Sequence, residues 1–111
     1  MGKISFSEWK ELEMKVGKIV KVERVPKTDK LYKLQVDIGG DKLIQIVTGL
    51  VPFYKEEELQ DKKIIVLTNL EPAKFAGEVS EGMLLCAENE DGSNCVLLTV
   101  EKDIEQGTAV T

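Results

Sequence analysis

The sequence predicts an all-β domain, a small barrel of five strands that carries two short helices. Two observations support this prediction. Apolar and polar residues alternate with a period of two in the first half of the chain, most clearly over residues 32–38. Two apolar runs, Ile64 to Leu70 and Met83 to Ala87, lie further on, and Pro and Gly punctuate the segment between them. Short strands joined by shaped turns are therefore expected.

The first element is predicted to be a short helix. Ser5 and Glu8 have the spacing of a capping box, in which each side chain hydrogen-bonds the backbone of the other. Phe6, Trp9 and Leu12 follow at intervals of three and share one face, which we expect to pack onto the barrel. Trp9 alternatively offers a stacking surface to a base, but a single Trp on such a stripe is more often part of the core.

Three strands are predicted next. The first begins at Met14 and has Gly17 as the expected position of a bulge or bend. Its expected buried side is formed by Met14, Val16, Val20 and Val22. A turn over residues 26–29 leads to the second strand, and Gly39-Gly40 predicts a tight hairpin into the third strand, residues 42–48.

The second half is predicted to contain a short helix, two barrel strands and a C-terminal β extension. The helix is expected over residues 52–59, and the two strands over residues 63–69 and 83–88 with a polar loop between them. A further strand over residues 95–101 follows the Asp91-Gly92 turn, and residues 103–111 are expected to cover a sheet edge. Three strands, a helix and two more strands is the order of a five-stranded OB-fold barrel. We therefore expect one OB-fold domain over residues 1–111.

The composition restricts the function classes. The chain has no His, so the commonest general base and the commonest metal ligand are missing. Cys86 and Cys95 are too few for a four-ligand zinc site, and we expect free thiols, although the hairpin register decides whether they can form a disulfide. No run approaches the ~20 apolar residues of a membrane helix, and no signal-peptide core is present. The sequence thus predicts a cytoplasmic protein without cofactor, metal or membrane contact, and an enzyme is the least expected class.

Charge is distributed unevenly along the chain. The net charge is −5, which by itself argues against a nucleic-acid partner. Residues 1–55, however, hold eleven Lys and Arg against seven Asp and Glu, whereas residues 56–111 hold four against thirteen. The densest basic segment runs from Lys15 to Lys33. One face is therefore able to meet a polyanion, and solvated surface lysines explain the same pattern equally well.

The polar loop of residues 69–83 carries the groups best suited to recognition. It offers an amide, a cation, a hydroxyl and a thioether, on Asn69, Lys74, Ser80 and Met83. It contains no obvious pair of nucleophile and base, so binding is expected and bond breaking is not. The same residues also suit an ordinary connection between strands, with Met83 in the core.

Several stretches in conserved order resemble the tRNA-binding domain found at the C-terminus of many methionyl-tRNA synthetases, in free-standing dimeric tRNA-binding proteins and in the endothelial monocyte-activating polypeptide group. They are Val16-Gly17-Lys18-Ile19, Asp29-Lys30-Leu31, Val36-Asp37-Ile38-Gly39, Ile46-Val47-Thr48-Gly49-Leu50, Asn69-Leu70-Glu71-Pro72-Ala73-Lys74 and Gly77-Glu78-Val79-Ser80-Glu81-Gly82-Met83-Leu84-Leu85. Together they span residues 12–88. The chain is also similar in length to the synthetase β subunit that some prokaryotes encode separately.

The resemblance implies an OB fold, a homodimer joined partly through the C-terminal extension, and structure-specific tRNA binding with little sequence preference. It implies roles in tRNA binding for Ser80 and Met83, to which we add Lys30, Asn69 and Lys74 as polar and cationic companions. As a non-catalytic β subunit, the chain would supply tRNA affinity to a methionyl-tRNA synthetase catalytic chain.

The chain departs from the family pattern at four positions. Val25 stands where His is common, Thr48 where Ser is usual, Ile44 where a basic residue is common and Ala76 where Arg often precedes Gly. Because positive charges are missing from the expected binding surface, we expect modest affinity. Two alternatives stay open, a dimeric OB-fold chaperone that binds peptides for export and an assembly module for a synthetase complex. The motif of the polar loop favours the tRNA-binding family over the chaperone.

Overall fold

One long strand, β1 (Met14–Arg24), organises the sheet in the computed structural model, which describes residues 2–111 of the chain. Its first half pairs with one neighbour and its second half with another, because the strand is long enough to bend around the barrel. The other barrel strands are β2 (Tyr32–Asp37), β3 (Leu43–Thr48), β4 (Lys63–Leu67) and β7 (Met83–Leu84). All pairs are antiparallel in the order β3-β2-β1-β4-β7, which confirms the predicted five-stranded OB barrel.

The barrel nearly closes between β3 and the segment before β7. The Glu81 amide donates to the Gln45 carbonyl at 2.7 Å, so the edge of β3 is hydrogen-bonded by the returning chain. Inside, aliphatic side chains from β1, β2, β3 and β4 are fully buried, among them Ile19, Leu34, Ile46, Ile64 and Val66. This packed core makes the barrel a rigid support for the groups on its surface.

A β-bulge in β1 lies three residues beyond its expected position. Ile19 pairs with Val36 and Lys21 pairs with Gln35, so Val20 is the extra residue and its side chain is exposed. The prediction that Val20 faces the core was wrong, and Ile19 takes that place. The Gln60 side-chain amide donates to the Val20 carbonyl at 2.8 Å and satisfies the unpaired backbone group.

Gly17 serves packing and not bending. A Cβ at this position would lie 2.7 Å from Val36 Cγ1 and 3.0 Å from Val66 Cγ2. Glycine is therefore favoured here because the Val36 and Val66 side chains pack closely against the backbone of β1.

Both helices are short. Helix α1 (Phe6–Lys10) has the predicted capping box, since the Glu8 amide donates to Ser5 Oγ and the Ser5 amide donates to Glu8 Oε1. Helix α2 (Glu56–Leu59) is half the predicted length, because residues 51–53 form a turn, and it buries Leu59. Among residues 2–111, no helix is both long and apolar enough to cross a membrane.

The remaining strands form hairpins and a C-terminal strand. The polar loop contains an unpredicted hairpin, and the strand expected over residues 95–101 is shorter than predicted. These elements are β5 (Ala73–Phe75), β6 (Glu78–Ser80), β8 (Cys86–Glu88), β9 (Cys95–Leu97) and β10 (Ala109–Val110). β10 pairs with the first two residues of β1, so the C-terminal segment covers an edge as expected. An ion pair between Lys63 Nζ and Asp103 Oδ1, at 2.8 Å, holds the segment that leads to β10.

Candidate nucleic-acid interface

The outward side chains of β1, β2 and β3 form a polar surface, here called the outer face. It consists of Lys21, Glu23, Lys33, Gln35 and Gln45. Two segments border it, the β1–β2 loop (residues 25–31) and the β5–β6 hairpin, which lies against β3. In an OB fold, this face and its bordering loops are the usual place for an oligonucleotide.

A row of amides crosses the outer face. Gln45 Nε2 donates to the Val79 carbonyl at 2.8 Å, and Gln35 Nε2 donates to Gln45 Oε1 at 3.0 Å. Because a backbone carbonyl only accepts, the amide nitrogen of Gln45 must face Val79 and its oxygen must face Gln35. The Gln35 amide therefore turns its nitrogen towards Gln45. The row is thus pre-oriented and links β2 and β3 to β6.

Ser80 holds the hairpin against the barrel. Its side chain is buried, and its Oγ accepts from the Val47 amide at 3.0 Å and donates to the Gly82 carbonyl at 2.8 Å. Since the only hydroxyl proton of Ser80 already has a partner, the contribution of this residue visible here is to position the hairpin.

Asn69 and Met83 lie at the base of the polar loop. Asn69 Oδ1 accepts from the Glu13 amide at 2.9 Å, and Asn69 Nδ2 donates to the Glu11 carbonyl at 2.7 Å. These bonds tie the start of the loop to the segment between α1 and β1. Met83 pairs with Leu67, and its half-buried side chain packs against the core.

Lys30 and Lys74 are exposed on the two bordering segments. Lys30 lies in the β1–β2 loop, where its carbonyl accepts from the Val51 amide at 3.1 Å, and Lys74 lies in β5 opposite Val79. Neither makes an ion pair within residues 2–111. The five predicted residues therefore do not form one cluster, since two are cations beside the outer face and the other three shape the loop.

The site residues predicted from the sequence include none of the outer face, and Lys33, Gln35 and Gln45 were missed. Lys33 Nζ lies 3.5 Å from Glu78 Oε1 on β6, and both side chains are partly exposed. The alternation of β2 already placed Lys33 and Gln35 opposite the core, so a signal existed. The contacts of Lys33 and Gln45 with the hairpin join distant parts of the chain, so they have no local signal.

The charge of this region is positive but not uniform. Lys21, Arg24, Lys27 and Lys30 are exposed along the second half of β1 and the β1–β2 loop. Lys21 is paired with Glu23 at 3.4 Å, and Asp29 lies in the same loop. Lys15 and Lys18 are half-buried on the first half of β1. The basic segment seen in the sequence is therefore only partly available to a polyanion.

The two thiols are free and lie on the same side of the β8–β9 hairpin. Cys86 pairs with Leu97 and Glu88 with Cys95, so the cysteines occupy diagonal positions. Burial, with a smaller effect from the hydrogen bond to Cys95, raises the pKa of Cys86 to about 12. The thiolate needed for nucleophilic chemistry is thus disfavoured at neutral pH. No cluster of three or more potential metal ligands occurs within residues 2–111.

A second surface is apolar and lies around α1. The predicted packing of the α1 face onto the barrel was wrong, since 71% of Phe6, 38% of Trp9 and 43% of Leu12 are exposed. Instead, Trp9 and Leu12 form one wall of a cavity of about 530 Å³, here called the apolar groove. Its other lining residues include Met14, Ile65, Leu67, Leu85, Leu98 and Val110. Exposed apolar surface of this kind is a candidate interaction site.

Comparisons with known proteins agree on one family. Residues 14–109 match the family described as "Putative tRNA binding domain". A methionine–tRNA ligase of Methanocaldococcus jannaschii is 48% identical over 110 residues, which are 99% of this chain and 17% of the ligase. The chain therefore spans less than a fifth of the length of that relative.

Solved structures give the same fold. A MetRS-related protein from Pyrococcus horikoshii superposes with a TM-score of 0.92 and 40% identity, and all of both chains is covered. A CsaA chaperone protein from Picrophilus torridus superposes with a TM-score of 0.87 and 29% identity, covering 98% of this chain and 100% of the other.

Proposed function

The chain belongs to the tRNA-binding domain family, and from this membership we propose that it binds tRNA through the outer face and its two bordering segments. The observation that carries the proposal is the placement of Lys30 and Lys74. These exposed cations have no acidic partner among residues 2–111, and they lie on the segments that border the outer face. Lysines of this kind neutralise phosphates and release the counterions around them.

We further propose that binding depends on the structure of the RNA and little on its sequence. Contacts from lysines to phosphates carry no base information. The pre-oriented amides of Gln35 and Gln45 suit sugar and phosphate oxygens of a folded RNA. Because few cations are free and the net charge is −5, the expected affinity is modest.

Modest affinity suits a helper of a synthetase. The likeness to part of a methionine–tRNA ligase supports a non-catalytic role, in the cytoplasm, beside a methionyl-tRNA synthetase catalytic chain. A weak tRNA-binding module held next to a catalytic chain raises the effective concentration of tRNA there. In this arrangement, the chain would act as a separate, tRNA-binding β subunit of the synthetase.

The occupant that we propose for the apolar groove is a second copy of the chain. The groove joins residues of α1, the barrel and β10, so the N-terminal helix and the C-terminal extension would both enter the interface. In a symmetric dimer, the same patch meets itself. A homodimer would offer two outer faces to one tRNA, which compensates for the weakness of each.

The test of this function is a titration of unfractionated tRNA with the Lys30→Gln, Lys74→Gln double variant. We expect the dissociation constant to rise at least tenfold, because two phosphate contacts are lost. The control is Lys3→Gln, Lys102→Gln, which removes the same charge from exposed positions outside the outer face. If both double variants bind tRNA as tightly as the wild type does, the proposed location of the site is wrong.

A chaperone function is the second candidate, favoured by the apolar groove and by the likeness to the CsaA chaperone protein. A peptide would then occupy the groove in place of a second copy. Fluorescence of the single Trp, which lines the groove, reports such binding. Saturable binding of apolar peptides together with no affinity for tRNA would replace the tRNA proposal.

A further inference from the structure

We propose that Lys33 is a phosphate-binding position and that the Glu78 carboxylate occupies it in the absence of RNA. The proposal rests on the tRNA-binding function proposed above and names one binding position and one competitor within that site. The carboxylate oxygen, 3.5 Å from Lys33 Nζ, stands where a phosphate oxygen would lie. Both are anionic acceptors of a lysine ammonium group.

Lys33 has the position of a ligand-binding group. It projects from β2 on the outer face, across from Glu23 on β1 and two residues before Gln35, which lies on the same face. Its side chain is 24% exposed, so it is reachable from solvent. Glu23 is engaged with Lys21 at 3.4 Å, which leaves Glu78 as the acidic partner of Lys33 within residues 2–111.

The ion pair is not needed to hold the hairpin in place. The hairpin and the residue after it are fixed to β3 by hydrogen bonds that leave Lys33 out. They are Val47 N to Ser80 Oγ, Gln45 Nε2 to the Val79 carbonyl, Gln45 N to Glu81 Oε1 and Glu81 N to the Gln45 carbonyl. Breaking the contact between Lys33 and Glu78 therefore leaves the shape of the outer face intact.

The ion pair is also weak enough to exchange. It is a single contact at 3.5 Å, and the Glu78 side chain is 33% exposed. Partly solvated pairs of this kind contribute little to stability. The other phosphates of the same RNA are held by Lys30 and Lys74 on the bordering segments, so an incoming phosphate displaces the carboxylate. Glu78 thus lowers the affinity for RNA, because its charge must be separated from Lys33 and then faces the bound phosphate.

The test uses Glu78→Gln in the full chain, with Glu71→Gln as the matched control. Glu71 lies in the same polar loop, is exposed and makes no ion pair within residues 2–111. Both variants remove one negative charge from the loop, and only the first frees Lys33. Affinity for unfractionated tRNA is measured at several salt concentrations, and circular dichroism confirms the fold.

We expect Glu78→Gln to bind tRNA about three- to tenfold more tightly at low salt. The slope of log affinity against log salt is expected to steepen by roughly one. Glu71→Gln is expected to change affinity by less than about twofold, since screening weakens distant charges. In a Lys33→Gln background, the gain from Glu78→Gln should fall to that of Glu71→Gln.

Three outcomes separate this proposal from the function on which it rests. Tighter binding that depends on Lys33 supports both. Wild-type binding that Glu78→Gln leaves unchanged or weakens overturns the exchange at Lys33 and leaves tRNA binding standing. No binding by either protein at low salt overturns both.

Discussion

Ser80 illustrates how residue type and environment can point to different roles. The family resemblance implies a tRNA contact for its hydroxyl, and that remains a prediction. In the fold, the same hydroxyl is buried between the Val47 amide and the Gly82 carbonyl. A substitution of Ser80 therefore weakens the attachment of the β5–β6 hairpin to the barrel, in addition to any effect on tRNA contacts.

For Ser80→Ala, we expect a loss of unfolding free energy of about 1–3 kcal/mol, because the Val47 amide is left buried without an acceptor. Urea denaturation followed by circular dichroism measures this loss. Ser7→Ala, which removes an exposed hydroxyl, is the control and should change stability by less than about 0.5 kcal/mol. An equal effect of the two substitutions would contradict the structural role of Ser80.

The raised pKa of the Cys86 thiol predicts that the stability of the fold decreases at alkaline pH. The pKa of its thiol is raised from 9.0 to about 12 in the folded chain, so the folded state holds its proton over a range in which the unfolded state loses it. The stabilising effect is complete below pH 9.0 and is lost as the pH rises towards about 12. Burial also raises the pKa of Tyr32, which acts in the same direction.

We therefore expect the unfolding free energy to fall above pH 9, and to fall less steeply in Cys86→Ala than in the wild type. Urea denaturation at a series of pH values measures both slopes. Parallel curves for the two proteins would show that Cys86 ionises as readily in the folded chain as in the unfolded one.

At the scale of single residues, alternation predicted which side chains of β2 are buried, since the period of two is strict there. It did not reveal the partners of Lys33 and Gln45, because those partners, Glu78 and Val79, belong to β6, far along the chain. Long-range pairing of this kind has no local signal in one sequence.

At the scale of elements, the β5–β6 hairpin is the main feature that the sequence did not predict. Its strands have three residues each, too few for a periodic pattern. Its turn has positive φ at both central residues, 52° at Ala76 and 83° at Gly77, which favours Asn-Gly or Gly-Gly over Ala-Gly. The sequence therefore predicts a longer loop here instead of a hairpin.

Ala76→Gly should stabilise the chain, because Ala carries a Cβ into a left-handed conformation that costs about 1 kcal/mol. We expect the melting temperature to rise by roughly 3–6 °C. Ala73→Gly, in β5 of the same hairpin, is the control and should lower it, since Gly weakens a strand. Calorimetry measures both shifts, and a drop in both variants would argue against the turn described here.

The β1 bulge shows the limit of element prediction in a different way. A Gly in a strand signals either a bulge or a close approach of neighbours. Gly17 is the second case, and the bulge falls at Val20, where no residue type announces it. The position depends on where β1 turns from β4 to β2, which is a property of the barrel.

At the scale of the whole molecule, the main open question is what covers the exposed face of α1. The sequence predicted that Phe6, Trp9 and Leu12 share a covered face, and within one chain this face is open. Periodicity indicates that a face is apolar but not whether its cover comes from the same chain. We propose that the cover is a second copy.

Trp9→Asp is therefore expected to convert a dimer of two 12.4 kDa chains into monomers, because it places a charge in the apolar groove. Phe75→Asp is the matched control, since Phe75 is similarly exposed, at 40% against 38% for Trp9, and lies on the β5–β6 hairpin. Sedimentation equilibrium measures the mass. A wild type that sediments as a monomer would exclude the second copy as the occupant of the groove.

The most direct test of the account is the salt dependence of tRNA affinity of the wild-type chain. The exposed cations beside the outer face predict a log–log slope of magnitude roughly two to four, from that number of phosphate contacts. The affinity should accordingly fall steeply between low and high salt. Firm tRNA binding with a slope near zero would contradict the central claim that these lysines hold the phosphates.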